Sequence, residues 1–304
     1  KEAVTGVSVD AETGVVTLTE EVNNTAVFTV VATVTPDAGG DPSSAELTIT
    51  VTNHVFKEIN GIEDLQAIWT GNNAVSRQNL TNNYILMTDI DLSGVTFGTI
   101  GIPDKDGIGL SGTFDGNGHK ISGVKMDVSW NGGFFARIES TGAVKNLHLE
   151  SGTGADDGVK TIYGGALVGF LYGRVENCFV NVRVYSDRDE PPIGTLAGTL
   201  QEGGVIVNSI AIGPSEFTVE RKEKNGAGLV ASGSVSQITG SFVLDTTVDG
   251  FQGFNKTPDE NIVKTETELK TAATFEGWDS SIWTISEGSY PALIPNCTSG
   301  QADA

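Results

Sequence analysis

The stretch from Gly132 to Leu244 repeats itself about every 31 residues. The copies read GGFFARIESTGAVKNLHLE from Gly132, GGALVGFLYGRVENCFVNVRV from Gly164, IGTLAGTLQEGGVIVNSIAI from Ile193 and GAGLVASGSVSQITGSFVLD from Gly226. Each combines glycine, a short apolar run, a turn and a second strand-like run. Asn146, Asn177 and Asn208 recur 31 residues apart, and Gly240 holds the matching place 32 further on. A fixed period of this size means a stack of supersecondary units, none able to bury its apolar face alone.

The runs are rich in Val, Ile, Leu and Phe. Val180-Asn181-Val182-Arg183-Val184 alternates with the period of two that marks a strand with one buried face. No segment between the copies carries a long run at helical spacing. Strands that return by loops rather than helices predict coils stacked as a parallel β-solenoid, each coil's backbone pairing with the coils on either side. An Asn at one corner of every coil then forms a structural ladder through Asn146, Asn177 and Asn208, whose amides satisfy turn backbone groups. The paired glycines suit corners that need positive φ or close backbone approach. They do not read as a phosphate cradle, because no helical pattern follows Gly132-Gly133 or Gly164-Gly165.

At 304 residues the chain has room for two domains and a large core. Its 39 glycines and 19% charged residues fit a turn-dense, all-β protein. A net charge of −21 excludes nucleic acid and anionic membrane surfaces as direct ligands. No apolar run is long enough for a transmembrane segment. The start at Lys1 reads as a chain whose export signal has been removed, which predicts an extracellular or outer-membrane surface location. Four Asn-x-Ser/Thr sequons begin at Asn23, Asn79, Asn255 and Asn296. Cys178 and Cys297 make no disulfide framework. Cys178 adjoins a ladder asparagine and reads as a small buried apolar residue. Cys297 lies in a polar tail, and pairing between the two is left open.

Residues 1–52 differ in character. Val4–Val9, Gly14–Thr19, Ala26–Thr35 and Ala45–Thr52 read as strands, separated by turn sequences such as Asp10-Ala-Glu-Thr-Gly14 and Pro36–Ser44. The segment resembles a bacterial immunoglobulin-like β-sandwich, shorter than a full seven strands. From His54 to Trp69 the period changes. Ile62, Leu65, Ile68 and Trp69 fall at helical spacing, and Glu63-Asp64 favours a first turn. This predicts a short amphipathic helix at about 61–70 that caps the open end of the first coil. Trp69 is expected as a core anchor.

Beyond it stand Tyr84-Ile-Leu-Met-Thr-Asp-Ile-Asp-Leu92 and Gly112-Thr-Phe-Asp-Gly-Asn-Gly-His-Lys-Ile121, then the Gly-Gly repeats, then Phe275-Glu-Gly-Trp-Asp279 and Trp283–Pro291. In this order they resemble the GLUG-motif surface proteins of Bacteroidetes over residues 55–294. The resemblance implies a right-handed parallel β-helix of the pectin-lyase-like kind at 53–294, with 295–304 as a C-terminal tail. The sequence departs from that family at Phe134-Phe135-Ala136, Ala231 and Gly240.

Pectin-lyase-like folds include polysaccharide lyases and glycoside hydrolases. A hydrolase needs two carboxylates about 5–10 Å apart, and a lyase needs a base beside acidic groups or calcium. Asp89 and Asp91 share a strand face, with Ile90 and Leu92 expected in the core. His119 could serve as a base with Asp115 as its orienter, although Asp115-Gly-Asn-Gly118 is also a strong tight-turn sequence. His54, His119 and His148 give no metal signature, and no nucleophile elbow or Cys–His pair is present.

Extra residues enter each copy at one point, at about 151–163, 185–192, 213–225 and 245–260. One insertion point means one rim, where repeat proteins commonly place binding surfaces. Asp187, Arg188, Asp189 and Glu190, flanked by Tyr163 and Tyr185, are the candidate ligand-binding residues, with Phe251 and Phe254 in the last insert. Carboxylates with aromatics suit glycan or protein contact. The same residues also read as solvated loops that keep solenoid edges soluble. Clustered carboxylates could hold calcium, but no loop matches an EF-hand, and no cofactor is implied.

The expectation is a non-enzymatic surface or secreted adhesin-like protein, binding a host or dietary glycan or a surface protein through loops on one rim. The alternatives are a polysaccharide lyase or glycoside hydrolase using Asp89, Asp91 or the Asp187–Glu190 cluster, and a passive stalk.

Overall fold

The computed structural model describes the backbone of strands at 7–9, 16–18, 26–34 and 43–51, then residues 56–104, 106–128, 130–187, 193–217, 228–245 and 261–295. The chain divides into two compact units, Lys1–Phe56 and Lys57–Ala304. In the first, Val7–Val9 pairs antiparallel with Val16–Leu18, and Ala26–Val34 pairs antiparallel with Ser43–Val51 over nine residues.

The second unit is a parallel β-solenoid whose coils have four walls. Wall 1 stacks Phe135–Ile138, Val168–Leu171, Ala197–Leu200 and Val230–Ser232. Wall 2 runs from Phe56–Ile59 through Asn83–Leu86, Thr113–Asp115, Ala143–Lys145, Arg174–Glu176 and Val205–Val207 to Ile238–Thr239. Wall 3 stacks Ile90–Asp91, the first half of Lys120–Val128, His148–Ser151, Phe179–Asn181, Ile210–Ala211, Phe242–Leu244 and Val263–Lys264. Wall 4 stacks the second half of Lys120–Val128 with Gly158–Thr161, Val184–Ser186 and Ser215–Phe217. Because Lys120–Val128 runs through both, walls 3 and 4 form one sheet.

Alternation sets what faces inward. Phe114, Val144, Val175 and Ile206 pair in a column on wall 2, and Ile121, Leu149, Val180 and Ala211 do so on wall 3. All eight are fully buried. Burying each larger aliphatic side chain stabilises by roughly 1.5–3 kcal/mol. Across the core Phe114 meets Phe135 edge-on at 5.3 Å.

The corner between walls 2 and 3 turns through the left-handed region. Asn117, Asn146, Asn177 and Asn208 have φ of 53°, 52°, 51° and 46°, and Gly240 has 55°. Asn tolerates this conformation better than other side chains. The backbone amides of Asn146, Asn177 and Asn208 donate to Glu176, Val207 and Thr239 of the next coil. Asn146 Nδ2 donates to Asp115 Oδ1 at 3.0 Å and Asn177 Nδ2 to Asn146 Oδ1 at 3.3 Å. Asn117 Nδ2 reaches down to Leu86 O at 3.1 Å. One residue on, the Cys178 amide donates to Ser209 Oγ and the Ser209 amide to Ser241 Oγ, at 3.1 and 3.0 Å. Cys178 is a free, buried thiol, pushed up to about 12 chiefly by burial; Cys297 lies outside the described residues.

Before the first full coil lie two six-residue helices, Ile62–Ala67 and Ala74–Asn79. Leu65, Ile68 and Leu80 are buried in the solenoid core, and Trp69 packs partly against it. The first helix stops at Ala67, short of the expected span, and the second carries no apolar stripe that could announce it. Its start is fixed instead by Asn73, whose side chain accepts from the Ser76 amide at 3.0 Å.

The last described segment folds back along the outside of wall 3. A capping box at Thr265 and Glu268 opens the helix Glu266–Leu269, a 3₁₀ turn covers Ala272–Phe275, and Trp283–Thr284 pairs antiparallel with Ala292–Leu293. Leu269, Phe275, Trp278 and Trp283 form a second buried cluster with the outward side chains Phe179, Ile210 and Phe242. Trp278 Nε1 donates to Gly240 O at 3.0 Å and Trp283 Nε1 to Asn177 Oδ1 at 3.4 Å. A Cβ on Gly118 would lie 2.2 Å from Ile294 O. The strap therefore touches the Asn corner from the fifth coil back to the first.

Candidate functional site

The residues predicted as a loop rim at 151–163 and 185–192 fold differently from the expectation. Gly158–Thr161 and Val184–Ser186 are strands of wall 4, and so is Ser215–Phe217 within 213–225. Val159 and Val184 are buried in the core while Lys160 and Tyr185 point outward. Only residues 152–157 leave the wall as a loop in the second coil. Part of each of these segments is therefore wall rather than loop.

The outward row of wall 4 pairs Asp127, Lys160 and Tyr185 across successive coils. Lys160 Nζ lies 3.5 Å from Asp127 and 2.9 Å from Asp187. The hydrogen bond to Asp187 leads the causes that raise the Lys160 pKa, with Asp127 adding to it. Arg183 lies over the Tyr185 ring at 4.2 Å and donates to Ala155 O at 2.7 Å. Tyr185 donates to Asp156 O at 3.3 Å, and burial raises its phenol pKa. Lys125 Nζ approaches Asp157 at 3.9 Å.

Three residues after Asp127 and Lys160, the chain turns from wall 4 to wall 1. Here Trp130 and Tyr163 stack, ring centroids 5.8 Å apart and planes inclined by 24°. Trp130 is 50% exposed and Tyr163 38%, the two exposed aromatics among the described residues. The corner beneath them is held by Asn131 N to Ile162 O, Gly165 N to Gly132 O and Gly194 N to Gly164 O, at 2.7, 3.0 and 2.9 Å. Coils approach so closely here that a Cβ on Gly169 would lie 1.7 Å from Asn131 O. Asn131 and Tyr163 both turn this corner in the left-handed conformation, at φ 48° and 61°. Six described non-glycine residues have positive φ; five are asparagine and the sixth is Tyr163.

Of the predicted binding residues, Asp187, Tyr185 and Tyr163 lie along wall 4 and its corner, while Arg188, Asp189, Glu190, Phe251 and Phe254 fall outside the described residues. Trp130 carries no signal in the sequence, because its exposure follows from the stack beneath it.

A second polar row lies outside wall 3. His119 Nδ1 meets Asp89 Oδ1 at 3.0 Å, and Asp89 also accepts from the Lys120 amide at 3.0 Å. Asp89, and not Asp115, orients His119. Asp115 accepts instead from Lys145, Asn146 and the Asn117 amide, because its strand lies in wall 2 and the turn carries His119 onto wall 3. Burial opposes ionisation of Asp89, but the Lys120 amide and His119 outweigh it and lower the pKa. Asp91, bonded to Ser93, is also lowered. His148 lies beside this row, its amide donating to His119 O at 3.2 Å. Its ring stands edge-on to Phe179 at 4.7 Å, its buried Nε2 has no partner, and burial pulls its pKa down to about 4. Among the described residues no cluster of His, Cys, Asp and Glu could hold a metal ion, and no helix is long and apolar enough to cross a membrane.

The chain matches no family model. Halomucin of Haloquadratum walsbyi is 36% identical over 156 residues, which is 47% of this chain and 2% of that protein. The chain thus spans a small fraction of this relative's length. A crystal structure from Bacteroides ovatus, provisionally named an immunoglobulin A1 protease, superposes with a TM-score of 0.42 at 14% identity, covering 80% of this chain and 93% of that one.

Proposed function

We propose that this chain is a non-enzymatic recognition segment of an extracellular or surface-anchored protein, and that it binds a glycan through wall 4 and its corner. One observation carries the reading: Tyr163 keeps an aromatic ring on left-handed backbone, where the other described non-glycine residues are all asparagine, and stacks it on an exposed tryptophan. Exposed aromatic faces on a rigid scaffold are how proteins hold pyranose rings. The stretch shared with a protein named as a mucin supports an extracellular setting. In this reading the solenoid is the right-handed β-helix of the GLUG-motif surface proteins, the helix at Ile62–Ala67 lids its first coil, and the N-terminal ribbons belong to an immunoglobulin-like spacer.

The carboxylates favour binding over hydrolysis. A glycosidase needs one carboxyl whose proton is retained by a raised pKa. Asp89 and Asp91 are displaced the other way. The test is incubation of the chain with a polysaccharide panel. Retention on a polymer without new reducing ends or unsaturated uronate supports the reading; product formation overturns it.

A further inference from the structure

We infer that the Trp130–Tyr163 corner takes an uncharged pyranose chain rather than an acidic one. This rests on the glycan-binding reading above and specifies its ligand. Left-handed backbone costs a bulky side chain more than it costs Asn, on the order of 1 kcal/mol. The turn one coil earlier shows the cheaper choice for a left-handed residue, Asn131 at φ 48°. Tyr163 therefore carries strain that the wall does not require. What that strain supports is the stacked pair, with half of the Trp130 surface open to solvent.

Charge decides the class of sugar. The described cations of this face are already engaged: Lys160 between Asp127 and Asp187, Lys125 beside Asp157, and Arg183 over Tyr185 and on Ala155 O. An incoming uronate, sialate or sulfate would have to displace a carboxylate from Lys160 or Lys125, or the Ala155 carbonyl from Arg183, in a chain of net charge −21. A neutral ring meets no such cost. Its C–H face lies on the aromatic rings, and its hydroxyls donate to Asp127 and Asp187, whose side chains are 65% and 50% exposed. Asp127 lies close along the chain to the platform, three positions before Trp130 and within a reach of at most about 11 Å, and Lys160 joins it to Asp187.

The experiment uses the full chain on an array of neutral glucans, mannans, galactans and desialylated mucin glycans beside polygalacturonate, hyaluronate, heparin and sialylated mucin glycans. Wild type, Trp130→Ala and Tyr163→Asn are compared at low and high salt. The inference expects binding to at least one neutral member, little changed by salt and weakened at least about ten-fold by either substitution. It further expects Tyr163→Asn to raise Tm by about 2–4 °C as strain is relieved. Binding confined to acidic members would overturn the neutral-sugar inference and leave the glycan reading standing. Capture of Lys-rich peptides in place of sugars, lost at high salt, would overturn both. So would glycan binding indifferent to Trp130→Ala, or no binding at all. A lower Tm for Tyr163→Asn would remove the strain argument.

Discussion

The two outer faces of one sheet, wall 3 and wall 4, treat the same residue type in opposite ways. On wall 3, Trp278 and Trp283 are 8% and 1% exposed, packed by the strap onto Phe179, Ile210 and Phe242, with both indole N–H groups satisfied by the Asn corner. On the corner after wall 4, Trp130 is half exposed and stacks on a residue whose backbone is strained. Both faces rest on parallel ladders, so strand pairing alone does not dictate which is covered. The difference lies in the outward side chains. Wall 3 turns Phe179, Ile210 and Phe242 outward at successive coils and must be sealed. Wall 4 turns Asp127, Lys160 and Tyr185 outward and can stand in water. A stack built from one repeat thus separates a covered face from an open one by the identity of one residue per coil.

That contrast can be broken by one substitution made on both sides. Trp283→Ala should lower stability by about 3–5 kcal/mol, the usual cost of emptying a buried indole site. Trp130→Ala should change it by less than about 0.5 kcal/mol. Denaturant melts of the two variants check this, and equal losses would mean that the exposed pair is structural.

Acid sharpens the contrast next. His148, on wall 3, has a folded pKa of about 4 against an ordinary 6.5. The unfolded chain therefore binds its proton first. Stability contributed by the neutral ring is complete above about pH 6.5, is lost progressively as pH falls to about 4, and stays flat below that. The loss is on the order of 3 kcal/mol. His148→Phe should flatten stability across this window, measured by denaturant midpoint at each pH, whereas substitutions on wall 4 should leave the slope in place.

The Asn corner gives a smaller effect that separates backbone from side chain. Asn177→Ala loses the amide contacts to Asn146 and Trp283 and forces an alanine into the left-handed region. Asn177→Gly loses only the contacts. Alanine should therefore be worse than glycine by about 1 kcal/mol in thermal melts. The smallest effect, and the one of opposite sign, is the gain expected from Tyr163→Asn.

The period and the Asn corners were legible because they obey local rules: a left-handed turn needs Asn or Gly, and a buried wall needs alternation. That Asp89 and Asp91 face outward while Ile90 and Leu92 are buried followed from the same rule. Wall 4 was hidden because Gly158-Val-Lys-Thr161 offers a single large apolar residue, and four residues with one buried Val look like a loop. The strap was recognisable as a recurring ending but not as a clamp, since Trp283 and Asn177 are 106 residues apart in sequence. The pairing of His119 with Asp89 spans 30 residues and depends on which wall the turn delivers the ring to. The exposed tryptophan was silent for the same reason: its surroundings are supplied by neighbouring coils.

A bare solenoid melts like a zipper, because each unit feels only its immediate neighbours and the ends fray first. Here a single segment grips the fifth winding at Gly240, the third at Asn177 and the first at Gly118. Separating the windings between Gly118 and Gly240 means peeling that tie away. Melting should then be concerted, with one transition seen by every probe, and the tether should keep the stack intact under pull.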